Sequence, residues 1–98
     1  MPVAVNRPEG IMTFRVEAYE DNGRIVCGIY DIKGERRAGP KAFANAVREE
    51  VARIEQSVRE LGAHELRIGG RWPRRILQGF EPYPIESDPL LRRKILNA

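Results

Sequence analysis

The sequence predicts an α+β domain: a small mixed sheet made of a β-hairpin and a βαβ crossover, with one long and one short helix. Three observations carry that expectation. Two alternating segments flank Asn22-Gly23, a dipeptide that accepts positive φ at both central positions of a two-residue hairpin. Phe43, Val47, Val51, Ile54, Val58 and Leu61 recur at spacings of four and three, the apolar stripe of a helix lying on a core. A shorter alternation, Leu66 and Ile68, follows that helix, so the helix connects two strands that must lie parallel through a right-handed crossover. At 98 residues the chain supports one core and one domain.

The elements follow in order. Residues 1–12 carry Pro2, Pro8 and Gly10 around Val3 and Val5, which predicts an extended arm. In the first hairpin strand, beginning at Thr13, Phe14, Val16 and Ala18 share one face, while Arg15, Glu17 and Tyr19 share the other. Pairing outward from Asp21-Asn22-Gly23-Arg24 sets Ala18 against Cys27, Val16 against Ile29 and Phe14 against Asp31. Cys27 then reads as a small buried hydrophobe, with no neighbouring base or cation to activate its thiol. The second strand covers residues 25–32, and residues 33–40 form a polar loop whose Pro40 suits the first helical position. Glu49 with Arg53 and Glu55 with Arg59 are favourable helix pairs, and Gly62 provides a left-handed stop. His64, just past that stop, is placed to bond a terminal carbonyl, and residues 64–69 form the third strand. Gly69-Gly70 is a turn. A short helix opens at Pro73 and closes at Gly79, with Trp72, Ile76 and Phe80 on one side. Residues 81–84 are extended because each proline drives its predecessor out of the α region. Residues 13–86 are the predicted domain, and residues 87–98 form an amphipathic tail helix that must dock to be stable, with Leu90, Leu91 and Ile95 on its apolar face.

Composition narrows the function classes. With 42% hydrophobic and 32% charged residues the chain has the make-up of a folded domain. No apolar run reaches the ~18 residues of a membrane span, and the first ten residues lack the apolar stretch of a secretory signal. A cytoplasmic location, with neither export nor membrane insertion, is therefore expected. One cysteine and one histidine build neither a disulfide nor a metal cage, so no metal is expected. Residues 1–61 carry ten basic and ten acidic groups, whereas residues 62–98 carry seven basic and four acidic, so the whole net charge of +3 lies in the final third. Arg71, Arg74, Arg75, Arg92, Arg93 and Lys94 form this candidate partner surface.

The order strand, loop, long helix, strand, short helix, with Arg36-Arg37-Ala38-Gly39-Pro40-Lys41 and Arg74-Arg75-Ile76-Leu77-Gln78-Gly79-Phe80-Glu81, resembles the C-terminal half of the GNAT acyltransferase superfamily over about residues 13–81. The resemblance implies a loop that holds the pyrophosphate of acetyl-CoA on backbone N–H groups at a helix N-terminus. Arg36, Arg37, Ala38, Gly39 and Lys41 occupy that loop. Lys41 stands where the family has a small residue, Pro40 removes one N–H, and Arg75 takes the place of the tyrosine that often serves as general acid. Glu17 and Asp31 are the carboxylates that could act as a base through water. The family's acceptor-binding first strand and two helices have no room before Thr13. Shortened GNAT-like proteins of this kind are similar to ones carried in phage genomes, some of them in the virion.

The expected function is accordingly a non-catalytic GNAT-like binding or structural module, a phage virion or accessory protein that docks on a protein assembly. It has no catalytic residues and needs no cofactor. One alternative is an acetyl-CoA-dependent N-acetyltransferase. The other is a weak nucleic-acid binder whose arginines meet phosphates while Trp72 or Tyr83 stacks on bases.

Overall fold

The computed structural model describes residues 1–97. The order is β1 (Pro2–Arg7), β2 (Gly10–Asp21), β3 (Arg24–Arg36), α1 (Pro40–Glu60), β4 (Glu65–Ile68), β5 (Glu81–Pro82) and β6 (Arg92–Ile95). All six strands form one mixed sheet in the order β1-β2-β3-β4-β6-β5, with α1 on one face: a small α+β domain. Among the described residues only β3 and β4 are parallel, joined through α1 as the crossover argument requires.

The hairpin register follows the turn. Asn22 at φ 54° and Gly23 at φ 76° make the type I′ turn, and Ala18 pairs with Cys27 and Val16 with Ile29. The expected pairing of Phe14 with Asp31 fails. A bulge between Thr13 and Arg15 shifts the register, so that Arg15 pairs with Tyr30 and Thr13 with Lys33. Asp31 takes the extra position in a left-handed conformation at φ 55°. Beyond the bulge β3 continues to Arg36, which shortens the expected 33–40 loop to the residues between Arg36 and Pro40.

The expected arm is a strand. β1 pairs antiparallel with β2, setting Val3 opposite Phe14 and Val5 opposite Met12 on the face turned to α1. Arg7 fastens that strand to the helix, donating to Glu49 at 2.7 Å and to the buried Glu50 at 3.1 Å. Glu49 therefore pairs with Arg7, while the expected Glu55–Arg59 pair forms at 3.1 Å. α1 buries Ala46, Val47, Val51 and Val58 on the sheet. It ends in two reversed bonds, Gly62 N–H to the Arg59 carbonyl and Ala63 N–H to the Val58 carbonyl, with Gly62 left-handed at φ 86°.

Two expected helices are absent among the described residues. Between Pro73 and Phe80 the chain makes successive three-residue turns, with Ile76 N–H on the Pro73 carbonyl, Leu77 on Arg74 and Phe80 on Leu77. So few residues between a proline and a left-handed glycine cannot repay helix nucleation. Trp72 and Ile76 still reach the core, and the Trp72 indole N–H donates to the Gly69 carbonyl at 2.6 Å. The tail is likewise a strand: β6 slots between β4 and β5. Leu91, placed on the docking face of a tail helix, is buried, whereas Leu90 and Ile95 are exposed. Without β6 the backbone of β4 would lie open on one side, and pairing supplies the hydrogen bonds that so short a helix lacks. Ala98, the last residue of the expected tail helix, lies outside the described residues.

Candidate functional site

The loop that leads into α1 is tied to the β1–β2 turn. The N–H groups of Arg37 and Ala38 both donate to the Glu9 carbonyl, at 3.0 and 3.1 Å. The Arg37 guanidinium donates to Asn6 Oδ1 and to the Arg7 carbonyl, and Gly39 caps the helix ahead of Pro40. Of the donors that the resemblance assigns to a pyrophosphate, two are thus spent inside the fold and a third is missing at the proline. The residues present do not fit that group. Arg36 and Lys41 remain exposed.

Beside this loop lies a groove of about 370 Å³ between the end of β3, the first two turns of α1 and the Pro73–Ile76 turn. Ile32, Phe43, Ala44, Val47 and Ile76 give it an apolar floor, and Arg36 stands among the lining residues. Gly34 shapes it: a β-carbon there would come within 2.6 Å of the Phe43 ring, so the missing side chain lets that ring settle on the strand.

The six basic residues of the C-terminal third separate into two groups. Arg93 and Lys94 are drawn into the sheet's own ion pairs, Arg93 with Glu81 at 2.9 Å and Glu65 at 3.4 Å, and Lys94 with Glu55 of α1 at 3.0 Å. Arg74, Arg75 and Arg92 instead line one depression of about 440 Å³ with Leu77 and Gln78. Arg75 donates to Asn45 Oδ1 of α1 at 2.6 Å, and Arg71 is exposed nearby in sequence. Among the described residues no carboxylate lies within ion-pairing distance of Arg71, Arg74, Arg75 or Arg92.

The face of the sheet away from α1 is organised differently. Arg15, Tyr19, Tyr30, Arg67 and Arg93 occupy paired positions on it, and Tyr83 joins them. Arg15 lies over the Tyr30 ring, Arg67 over Tyr19 and Tyr83, and Arg93 over Tyr83 at 4.2 Å. Each arginine also meets carboxylates: Arg15 with Glu17 and Asp31, Arg67 with Glu65 and with Asp21 at 3.0 Å, and Arg93 with Glu65 and Glu81. Glu65 is only 4% exposed at the centre. The Tyr30 hydroxyl is pushed well above the usual phenol range, first by burial and then by its bond to Tyr19. Glu17 and Asp31, the candidate bases, are held in ion pairs with Arg15.

His64 bonds the Asn97 carbonyl through Nδ1, and its Nε2 meets Arg24 Nη1 at 2.8 Å, so the imidazole clasps the segment that follows β6 rather than the helix terminus. Cys27 is buried as expected, and burial raises its thiol pKa. The described residues contain no cluster of side chains suited to a metal ion and no helix long and apolar enough to cross a membrane.

Sequence reasoning missed the tyrosine–arginine layer. Its signals were the polar alternation Arg15, Glu17, Tyr19, Asp21 and the Glu65, Arg67 pair, which have meaning only once β2, β3 and β4 are aligned. Comparison with protein-family models gives no match, and comparison with curated proteins gives none either.

Proposed function

We propose that the chain is a non-catalytic binding module of GNAT-like build that docks an acidic protein surface through its basic end. The supporting observation is the placement of uncompensated charge. Arg74, Arg75 and Arg92 share one depression without a carboxylate among the described residues, whereas the arginines of the open sheet face are neutralised by their own neighbours. Fields from a one-sign cluster steer and orient a partner of the other sign. A phage virion or accessory role is the setting that the resemblance suggests.

The alternatives have less geometry behind them. Acetyl-CoA transfer calls for a row of free N–H groups, and those of Arg37 and Ala38 are taken by the Glu9 carbonyl. Base stacking calls for open aromatic faces, but Trp72 is buried and Tyr83 lies under Arg67 and Arg93.

Thermal unfolding with and without acetyl-CoA tests this reading. A ligand at about 100 times its Kd adds roughly 2.7 kcal/mol, several degrees for a domain of this size. The expected result is an unchanged midpoint, and a rise of several degrees overturns the non-catalytic reading.

A further inference from the structure

The apolar groove and the basic depression are two halves of one surface. Both use the turn segment after Trp72: Pro73 and Ile76 close the groove, while Arg74, Arg75, Leu77 and Gln78 form the depression. The helix carries the same pattern. Lys41, Asn45 and Arg48 fall on one stripe at spacings of four and three, and the Asn45 side chain accepts from Arg75 Nη1, so the stripe meets the depression at its middle residue. Lys41 and Arg48 are exposed and, among the described residues, have no carboxylate at ion-pairing distance. Ala44 and Val47, next to that stripe, turn into the groove.

We infer that this surface receives an acidic peptide segment carrying one bulky apolar residue, which inserts between Ile32, Ala44, Val47 and Ile76 while its acidic flanks meet Arg36, Lys41, Arg74 and Arg75. The inference rests on the docking reading above and adds the chemistry of the partner. About 370 Å³ is at the lower end of ligand pockets, suited to a single side chain and its flanks rather than to a large organic ligand. A buried apolar anchor inside a charged rim is the arrangement that concentrates affinity in protein interfaces. Charge complementarity selects the flanks, since among the described residues the cations round the groove have no carboxylate partner whereas those of the open sheet face do. A nucleotide in the same groove would need the loop donors that Glu9 already occupies.

The test is selection from a displayed library of random twelve-residue peptides, followed by fluorescence-polarisation titration of the best binder. The expected selected sequences are acidic and contain one phenylalanine, tryptophan or leucine. Replacing that anchor by alanine in the peptide weakens binding at least tenfold, a readout independent of the protein's folding. Ala44→Trp, which fills the groove, and the pair Arg74→Glu with Arg75→Glu each do the same in protein whose circular dichroism is unchanged. Selected peptides that are acidic but indifferent to their apolar residue and to Ala44→Trp overturn the groove assignment and leave the basic docking surface standing. If nothing is enriched, if the enriched peptides lack an acidic bias, or if acetyl-CoA or a DNA duplex displaces them, both the inference and the docking reading fall.

Discussion

Glu65→Gln removes one negative charge from the centre of the open sheet face while keeping the side chain's shape. The carboxylate is 4% exposed and receives both Arg67 and Arg93. Breaking a buried ion pair by removing one partner typically costs about 3–5 kcal/mol, because a charge is left unpaired in a poor solvent. Here neither guanidinium is stranded: Arg67 keeps Asp21 at 3.0 Å and Arg93 keeps Glu81 at 2.9 Å. What is lost is a pair of charge-assisted hydrogen bonds, of which Arg93 makes the longer one at 3.4 Å. The expected cost is therefore about 2 kcal/mol, near the lower range for hydrogen bonds to charged groups. For a domain of this length that lowers Tm by roughly 8–16 °C. Urea unfolding followed by circular dichroism gives the free energy directly. Because the carboxylate is shielded, the loss should persist from about 0.1 to 1 M salt, where an exposed pair would be screened. Glu65→Met, which exchanges the ion pair for apolar contact beside Val26, should cost less than Glu65→Ala. A loss under about 0.5 kcal/mol for Glu65→Gln would mean that the network behaves as ordinary surface charge, and the argument for a structural tyrosine–arginine layer would be refuted.

Two further outcomes follow from the same fold. Truncation after Ser87 removes β6 and the buried Leu91 and Leu96, so the shortened chain should lose its cooperative unfolding transition; a folded truncated protein would contradict the placement of β6 inside the sheet. Burial raises both the Cys27 thiol and the Tyr30 hydroxyl in the folded state, so their contribution is complete below the unfolded values, roughly 8.5 for a thiol and 10 for a phenol, and fades as pH climbs past them. Urea midpoints between pH 7 and 11 should fall more steeply for the natural chain than for Cys27→Ala or Tyr30→Phe, and parallel curves would remove these two groups as the cause.

What could be read from the residues was what local chemistry dictates. Asn22-Gly23 fixed a turn, the turn fixed the register as far as Val16 and Ile29, and the apolar stripe with its glycine stop fixed α1. The reading failed where distant residues decide. Arg92-Arg93-Lys94 spells a solvated helix end when read alone, and becomes a strand because Glu55, Glu65 and Glu81, brought from three other elements, receive Arg93 and Lys94. The bulge at Asp31 leaves no mark in an alternating pattern, since one extra residue resets the faces without altering composition. The basic surface was legible as a count but not as a partition, because which arginines are neutralised depends on where the sheet sets its carboxylates.

The position of β6 also bears on the order in which the protein can be made. Of the six described strands it is the latest to leave the ribosome, yet it sits between β4 and β5 rather than at an edge. The hairpin and α1 can assemble as soon as they emerge, whereas Glu81 and Pro82 have no neighbour to pair with until Arg92 and Arg93 arrive. The half-built molecule therefore shows Leu66 and Ile68 with one flank of their strand unpaired, the kind of surface on which growing chains stick to one another. The arrival of Arg92–Ile95 is what closes it.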